Sequence, residues 1–192
     1  MKTLIHYRKQ RVESFLNRLS SINELYIERS FSFDALLVDY IKESIEFYEQ
    51  VGESSSSSRI SQLNIYLETA KKGINPQTLE KLKTGRRENI WIASYHILDE
   101  LGSLYQNTLM ELELQITQAK ELVAQVILSA IQSKLISDDD LNGLHNQDEI
   151  RSLWKSLSQN EQVKLIERKL KLSITQDDII ILCDLVCSQI RN

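Results

Sequence analysis

The chain has 192 residues, 42% apolar and 26% charged, with five glycines and one proline. That balance excludes disorder, collagen and a disulfide scaffold, and the scarcity of helix breakers favours long helices. The formal net charge of −4 is uneven, with 14 basic and 12 acidic side chains in residues 1–96 against 9 and 15 in residues 97–192; neither half is charged enough to imply a nucleic-acid or membrane protein.

In chain order, Val12, Phe15, Leu16, Leu19, Ile22, Leu25 and Tyr26 recur at steps of three and four and predict a helix from Leu4 to Glu28. Ser30-Phe31-Ser32 interrupts the pattern. Phe33, Leu37, Ile41, Ile45 and Tyr48 then predict a second helix ending near Gly52, with Asp34 in its first turn against the positive end of the helix dipole. The serine run Ser54 to Ser58 competes for backbone hydrogen bonds and reads as an exposed connection. Ile60, Leu63, Tyr66, Leu67 and Ala70 predict a third helix, for which Gly73 and Ile74 supply a left-handed cap and its apolar contact. Asn75 and Pro76 read as the N-cap and first residue of a short helix over Pro76 to Lys83, followed by a turn at Thr84-Gly85.

From Glu88 to Leu135 there is no proline, so one helix of up to ~70 Å fits at 1.5 Å per residue. Its stripe (Leu98, Leu101, Tyr105, Thr108, Leu112, Ile116, Ala119, Val123, Val126, Ala130) predicts coiled-coil-like packing lengthwise on other helices. Leu122, Ile127 and Ile131 widen it, so several helices are expected around it. The far end, Ile116 to Ile131, is expected to stay uncovered within one chain and so to meet a partner or a second copy. After Ser137 the texture changes to short helices, opened by Asn146 with Glu149, Ser158 with Glu161, and Thr175 with Asp178 at capping-box spacing. Alternating Leu170 to Ile174 and β-branched Ile179 to Ile181 leave a short strand open within 170–181. The expected fold is therefore all-α, an elongated helical bundle over residues 1–136 with one very long helix and a smaller C-terminal cluster of short helices over 137–192.

Three features bear on function. Asp138, Asp140 and Asn142, with Gly143 next and Glu149 at the twelfth position, place oxygen donors at the spacing of an EF-hand loop, and the segment resembles one. The resemblance implies a calcium ion held by Asp138, Asp140, Asn142, the Leu144 carbonyl and a bidentate Glu149. The same residues also read as helix caps, with Ser137 capping a short helix, Asp138 to Asp140 at its positive end, Gly143 closing it and Asn146 opening the next. That capping account uses every residue and is the expectation; calcium is the alternative.

A basic turn, Lys71, Lys72, Lys81, Lys83, Arg86 and Arg87, has only Glu80 among its cations. Lys81, Lys83, Arg86 and Arg87 are the candidate partner-binding residues. An acidic or phosphate-bearing partner would relieve the arginines, which fall at the start of the long helix. Nucleic acid is the less favoured partner because no reading-helix motif is complete.

No histidine has a glutamate three residues before it, and no zinc, phosphate-loop or nucleophile-elbow motif is present, so no catalytic residue is assigned and an enzyme is not expected. Cys183 and Cys187 share one helical face and read as core residues of a reducing, cytoplasmic compartment. No apolar run approaches the ~20 residues of a membrane helix. The expected function is a non-catalytic helical interaction or adaptor subunit that binds a protein partner or, through the long helix, a second copy; a calcium-responsive module and a nucleic-acid-binding helical protein are the alternatives.

Overall fold

The structure is a computed structural model and describes residues 3–137, 141, 143–144 and 146–191. Among these residues the regular elements are all helices: α1 (Ile5–Ile27), α2 (Phe33–Gln50), α3 (Ser54–Lys71), α4 (Arg86–Gln132), α5 (Gln147–Leu157), α6 (Glu161–Ser173) and α7 (Gln176–Arg191). The all-α class and the single long helix agree with the sequence reading; α4 runs 47 residues without interruption. The chain forms two compact units, Gln10–Leu109 and Met1–Lys9 with Met110–Asn192.

Helix ends follow local chemistry. Gly73 (φ 75°) closes α3 in a left-handed cap, with Ile74 N donating to the Thr69 carbonyl at 3.2 Å and Gly73 N to Ala70 at 2.9 Å. Gly52 (φ 78°) closes α2 in the same way. Arg29 (φ 53°) and Lys134 (φ 57°) take this position after α1 and α4 without glycine's freedom. Asn146 and Glu149 form the expected capping box of α5.

Three expected boundaries differ. Ser54 to Ser58 open α3 instead of forming a connection: Ser57 is buried and its hydroxyl donates to Glu49, so burial outweighs the weak helix preference of serine. Residues 76–83 form a turn instead of a helix. Asn75 Oδ1 accepts from Gln77 N at 2.9 Å and Thr78 N at 3.3 Å as an N-cap would, but Leu79 turns left-handed (φ 59°) and Asn75 N then bonds the Glu80 carbonyl at 2.8 Å, closing an antiparallel bridge between Ile74 and Lys81. Ser158 is the C-cap of α5, and Asn160 caps α6 by accepting from Gln162 N at 2.9 Å.

Within the unit Gln10–Leu109, α2 packs on α3 and the core is aromatic. Phe15 of α1 lies 5.4 to 5.8 Å, ring centre to ring centre, from Tyr40 and Phe47 of α2 and Tyr105 of α4, and Tyr48 stacks on Tyr105. Burying tyrosine hydroxyls demands partners. Tyr40 donates to the Phe15 carbonyl at 2.8 Å, and Tyr105 donates at 2.7 Å to Ser44, which in turn donates to the Tyr40 carbonyl. Burial holds the phenols of Tyr40 and Tyr105 far above the ordinary tyrosine range. At the edge of this core Arg18 and Arg11 bracket Glu43 at 2.6 and 3.1 Å while lying over the rings of Tyr40 and Phe15. The hydrogen bond from Arg18 is the largest influence on the Glu43 carboxyl and holds it below its usual range.

In the second unit, Leu112, Ala119, Val123, Val126, Ile127 and Ala130 of α4 are buried together with Ile150, Trp154, Leu170, Ile179, Leu182 and Val186 from α5, α6 and α7. These positions of the far stripe are thus covered within one chain, while Ile116, Leu122 and Ile131 stay partly exposed. The short helices that the caps predict supply the cover. No strand forms among the described residues of 170–181: α6 continues to Ser173 and α7 begins at Gln176, leaving Leu172 81% exposed.

Asp178 organises the start of α7. It is completely buried and accepts from Thr175 N at 3.0 Å and Thr175 Oγ1 at 2.7 Å, while its own backbone N–H donates to Thr175 Oγ1 at 3.1 Å in a capping-box arrangement. Its carboxylate also accepts from Ile5 N, 3.1 Å from each oxygen, at the first turn of α1, with His6 Nδ1 at 3.4 Å. One side chain therefore satisfies the opening of two helices 173 residues apart in the chain.

Candidate functional site

The sequence-predicted partner residues Arg86 and Arg87 open α4, and within the unit Gln10–Leu109 this end meets the turn between α1 and α2. Trp91, one turn further along α4, is the buried centre of the junction. Its ring stacks on Tyr26 at 5.6 Å and meets Phe33 at 5.0 Å, and its Nε1 donates to the Tyr26 carbonyl at 3.1 Å. Such a platform forms because the amphipathic register of α1 and α2 brings Tyr26 and Phe33, on either side of the turn, to the same ring.

Phe31 points away from this core and is 91% exposed. The Arg87 guanidinium lies against one face of its ring, 4.3 Å from the ring centre and 5.5 Å from that of Trp91, while Arg87 Nη2 donates to the Arg29 carbonyl at 2.5 Å. That carbonyl belongs to the left-handed residue closing α1, where the helix has no donor of its own to offer. Arg87 thus joins a cation–π stack to a helix-end hydrogen bond. Its interactions make it a structural residue as well as a surface cation, which the sequence reading did not anticipate.

On one side of Arg87 lies a mainly apolar cleft of about 280 Å³, lined by Phe31, Arg86, Ile90 and Trp91 with Ser30 and Asp34 at its edge. On the other lies a cleft of about 320 Å³ bounded by Arg29, Gly85, Glu88 and Trp91. Nearby carboxylates are matched to other cations. Asp34 pairs with Lys71 at 2.8 Å, and Glu88 lies 4.0 Å from Arg29. Lys71, only 12% exposed and also paired with Glu68, leaves the basic patch and becomes part of the α2–α3 packing. Lys81 and Lys83 are exposed on the loop before α4 and do not line either cleft.

Phe31, Ile90 and Trp91 are site residues that sequence reasoning missed. A phenylalanine inside Ser30-Phe31-Ser32, out of register with both flanking helices, is the signal that could have found the first; Trp91 is inseparable from core aromatics by pattern alone.

The calcium-loop residues Asp138, Asp140 and Asn142, and with them the first turn of the capping account, lie outside the described residues. Of the remaining two, the Leu144 carbonyl accepts from Arg191 Nη1 at 2.7 Å, and Glu149 Oε2 accepts from Asn146 N at 3.1 Å in the capping box. Among the described residues no three His, Cys, Asp or Glu side chains are placed to hold a metal. His96 packs on Tyr66, 5.1 Å between ring centres. Cys183 and Cys187 are free and fully buried; the hydrogen bond between them and their burial push the Cys183 thiol up.

A larger groove of about 380 Å³ runs between α1 and α4, lined by Leu16, Leu19, Leu98 and Gly102 with Asp99 on its rim. One exposed ring, Tyr95, lines it, but no cation does. No described helix is long and apolar enough to cross a membrane. No family model, curated protein or solved structure matches the chain.

Proposed function

We propose that the chain is a non-catalytic helical interaction protein that docks a protein partner at the corner formed by the α1–α2 turn and the first turns of α4. The observation that supports this reading is Phe31. A large apolar ring left 91% exposed loses hydrophobic stabilisation, yet this one is held in place by a guanidinium instead of being free. Ile27 and Ile92, next in the chain to Tyr26 and Trp91, are exposed as well, at 70% and 61%. Aromatic and arginine side chains beside an apolar pocket are the composition of binding hot spots, because they contribute large contact area with little rotamer entropy to lose. The free, buried thiols suit a reducing cytoplasm as the place of action.

A photo-crosslinking amino acid at Phe31, in the native cellular setting, tests the reading. One discrete protein should be captured from this position and not from Leu172, which is 81% exposed, and capture should fall when Arg86 is changed to Glu. Equal labelling from both positions would remove the corner as a docking surface. Association through the long helix is not part of the proposal, since most of its far stripe is covered within the chain.

A further inference from the structure

We infer that the segment recognised at this corner is an acidic polypeptide bearing an apolar or aromatic side chain, the ring or aliphatic group entering the cleft beside Phe31 and the carboxylates pairing with Arg86 and Arg87. The inference rests on the docking proposal and adds the chemistry of the partner.

Charge complementarity carries it. The acidic groups bordering the clefts are already matched, Asp34 by Lys71 and Glu88 by Arg29. Among the described residues neither Arg86 nor Arg87 has a carboxylate within ion-pair distance, so the two cations of the cleft are the ones left without a counter-charge. Arg87 is also held in one orientation, stacked on Phe31 and Trp91 and tied by one N–H to the Arg29 carbonyl. A guanidinium has five N–H donors in a rigid fork, so several remain for a carboxylate, and the entropy of fixing a long side chain is already lost before the partner arrives. Two adjacent arginines beside an apolar floor of Phe31, Ile90 and Trp91 call for two different groups on one ligand. A bare anion would leave the apolar floor in contact with water, and a neutral apolar peptide would leave both guanidinium groups unmatched. Nucleic acid fits less well: the charged residues that could follow a phosphate backbone, Lys81 and Lys83, stand outside the cleft.

The inference is tested with short labelled peptides of alternating glutamate and phenylalanine, of lysine and phenylalanine, and of glutamate and serine, followed by anisotropy and by Trp91 emission. Trp154, fully buried in the other unit, supplies a constant background. The glutamate–phenylalanine peptide should bind saturably and perturb Trp91, the lysine peptide should not, and the serine peptide should bind at least about tenfold more weakly. Arg86→Glu, at an exposed residue, should weaken the first peptide at least about tenfold with an unchanged melting curve. Arg87→Lys, which keeps the charge and removes the fork, should weaken it as well. Absence of saturable binding at millimolar peptide, equal binding of the lysine peptide, or indifference to Arg86→Glu overturns the inference, as does tighter binding of a single-stranded RNA oligonucleotide. A protein crosslinked at Phe31 that contains no acidic segment would overturn this inference alone and leave the docking site standing.

Discussion

Replacing Asp178 with alanine removes the acceptor shared by Ile5 N, Thr175 N and Thr175 Oγ1 at a position with no solvent access. Hydrogen bonds to a charged acceptor contribute about 1.5–3 kcal/mol each, and a buried donor left without a partner costs about 1–3 kcal/mol. Against this stands the desolvation of the carboxylate itself, which the alanine variant no longer suffers. A net loss of about 3 kcal/mol follows, corresponding to a fall in Tm of roughly 6–12 °C for a chain of this size. Asp178→Asn keeps one oxygen and the shape, and should lose about half as much. Urea unfolding followed by helical circular dichroism gives the size of the effect. Amide exchange gives its location, because protection should drop at Ile5 and in the first turn of α7 together. A variant within about 0.5 kcal/mol of the parent, or exchange that rises at one of these two places only, would refute the idea that one carboxylate secures both helices.

The remaining predictions concern other parts of the chain. Arg87→Ala should cost about 1 kcal/mol, through the lost stack on Phe31 and the lost bond to the Arg29 carbonyl, whereas Arg86→Ala should stay within about 0.5 kcal/mol in the same thermal melts; equal effects would contradict the stack. In an alkaline titration read by phenolate absorbance, Tyr40 and Tyr105 should stay protonated past the ordinary tyrosine value of 10.0, because burial disfavours their charged form. Their contribution to stability is full below that value and is lost as pH rises above it, so their absorbance should appear only with unfolding; early, reversible appearance would argue against the buried network. For the segment 138–149, calcium and magnesium at equal ionic strength should shift Tm alike, and Glu149→Gln should cost less than about 1 kcal/mol, since the amide oxygen can still accept from Asn146 N. A calcium-specific rise in Tm that disappears in Glu149→Gln would establish an ion site there.

What the sequence determined by itself is local. The steps of three and four between apolar residues and the absence of proline from Glu88 onward dictate the long helix, because helical register is set by neighbours within a turn or two. Gly73, the Asn146–Glu149 box and the Thr175–Asp178 spacing were legible for the same reason: a cap is a contact between residues at most five apart. Tertiary structure decided everything that needed a partner from elsewhere in the chain. Ser57 is helical because it is buried and reaches Glu49, and the turn after Pro76 closes through backbone bonds across the Ile74–Lys81 bridge instead of continuing as a helix. The covering of Val123 and Ile127, the second duty of Asp178 toward Ile5, and the capture of Phe31 by Arg87 each join residues whose separation in sequence carries no periodic signal. The candidate site stood half in each realm. Its two arginines were visible as unmatched charge, while the rings that give them a direction came together only when α1, α2 and α4 packed.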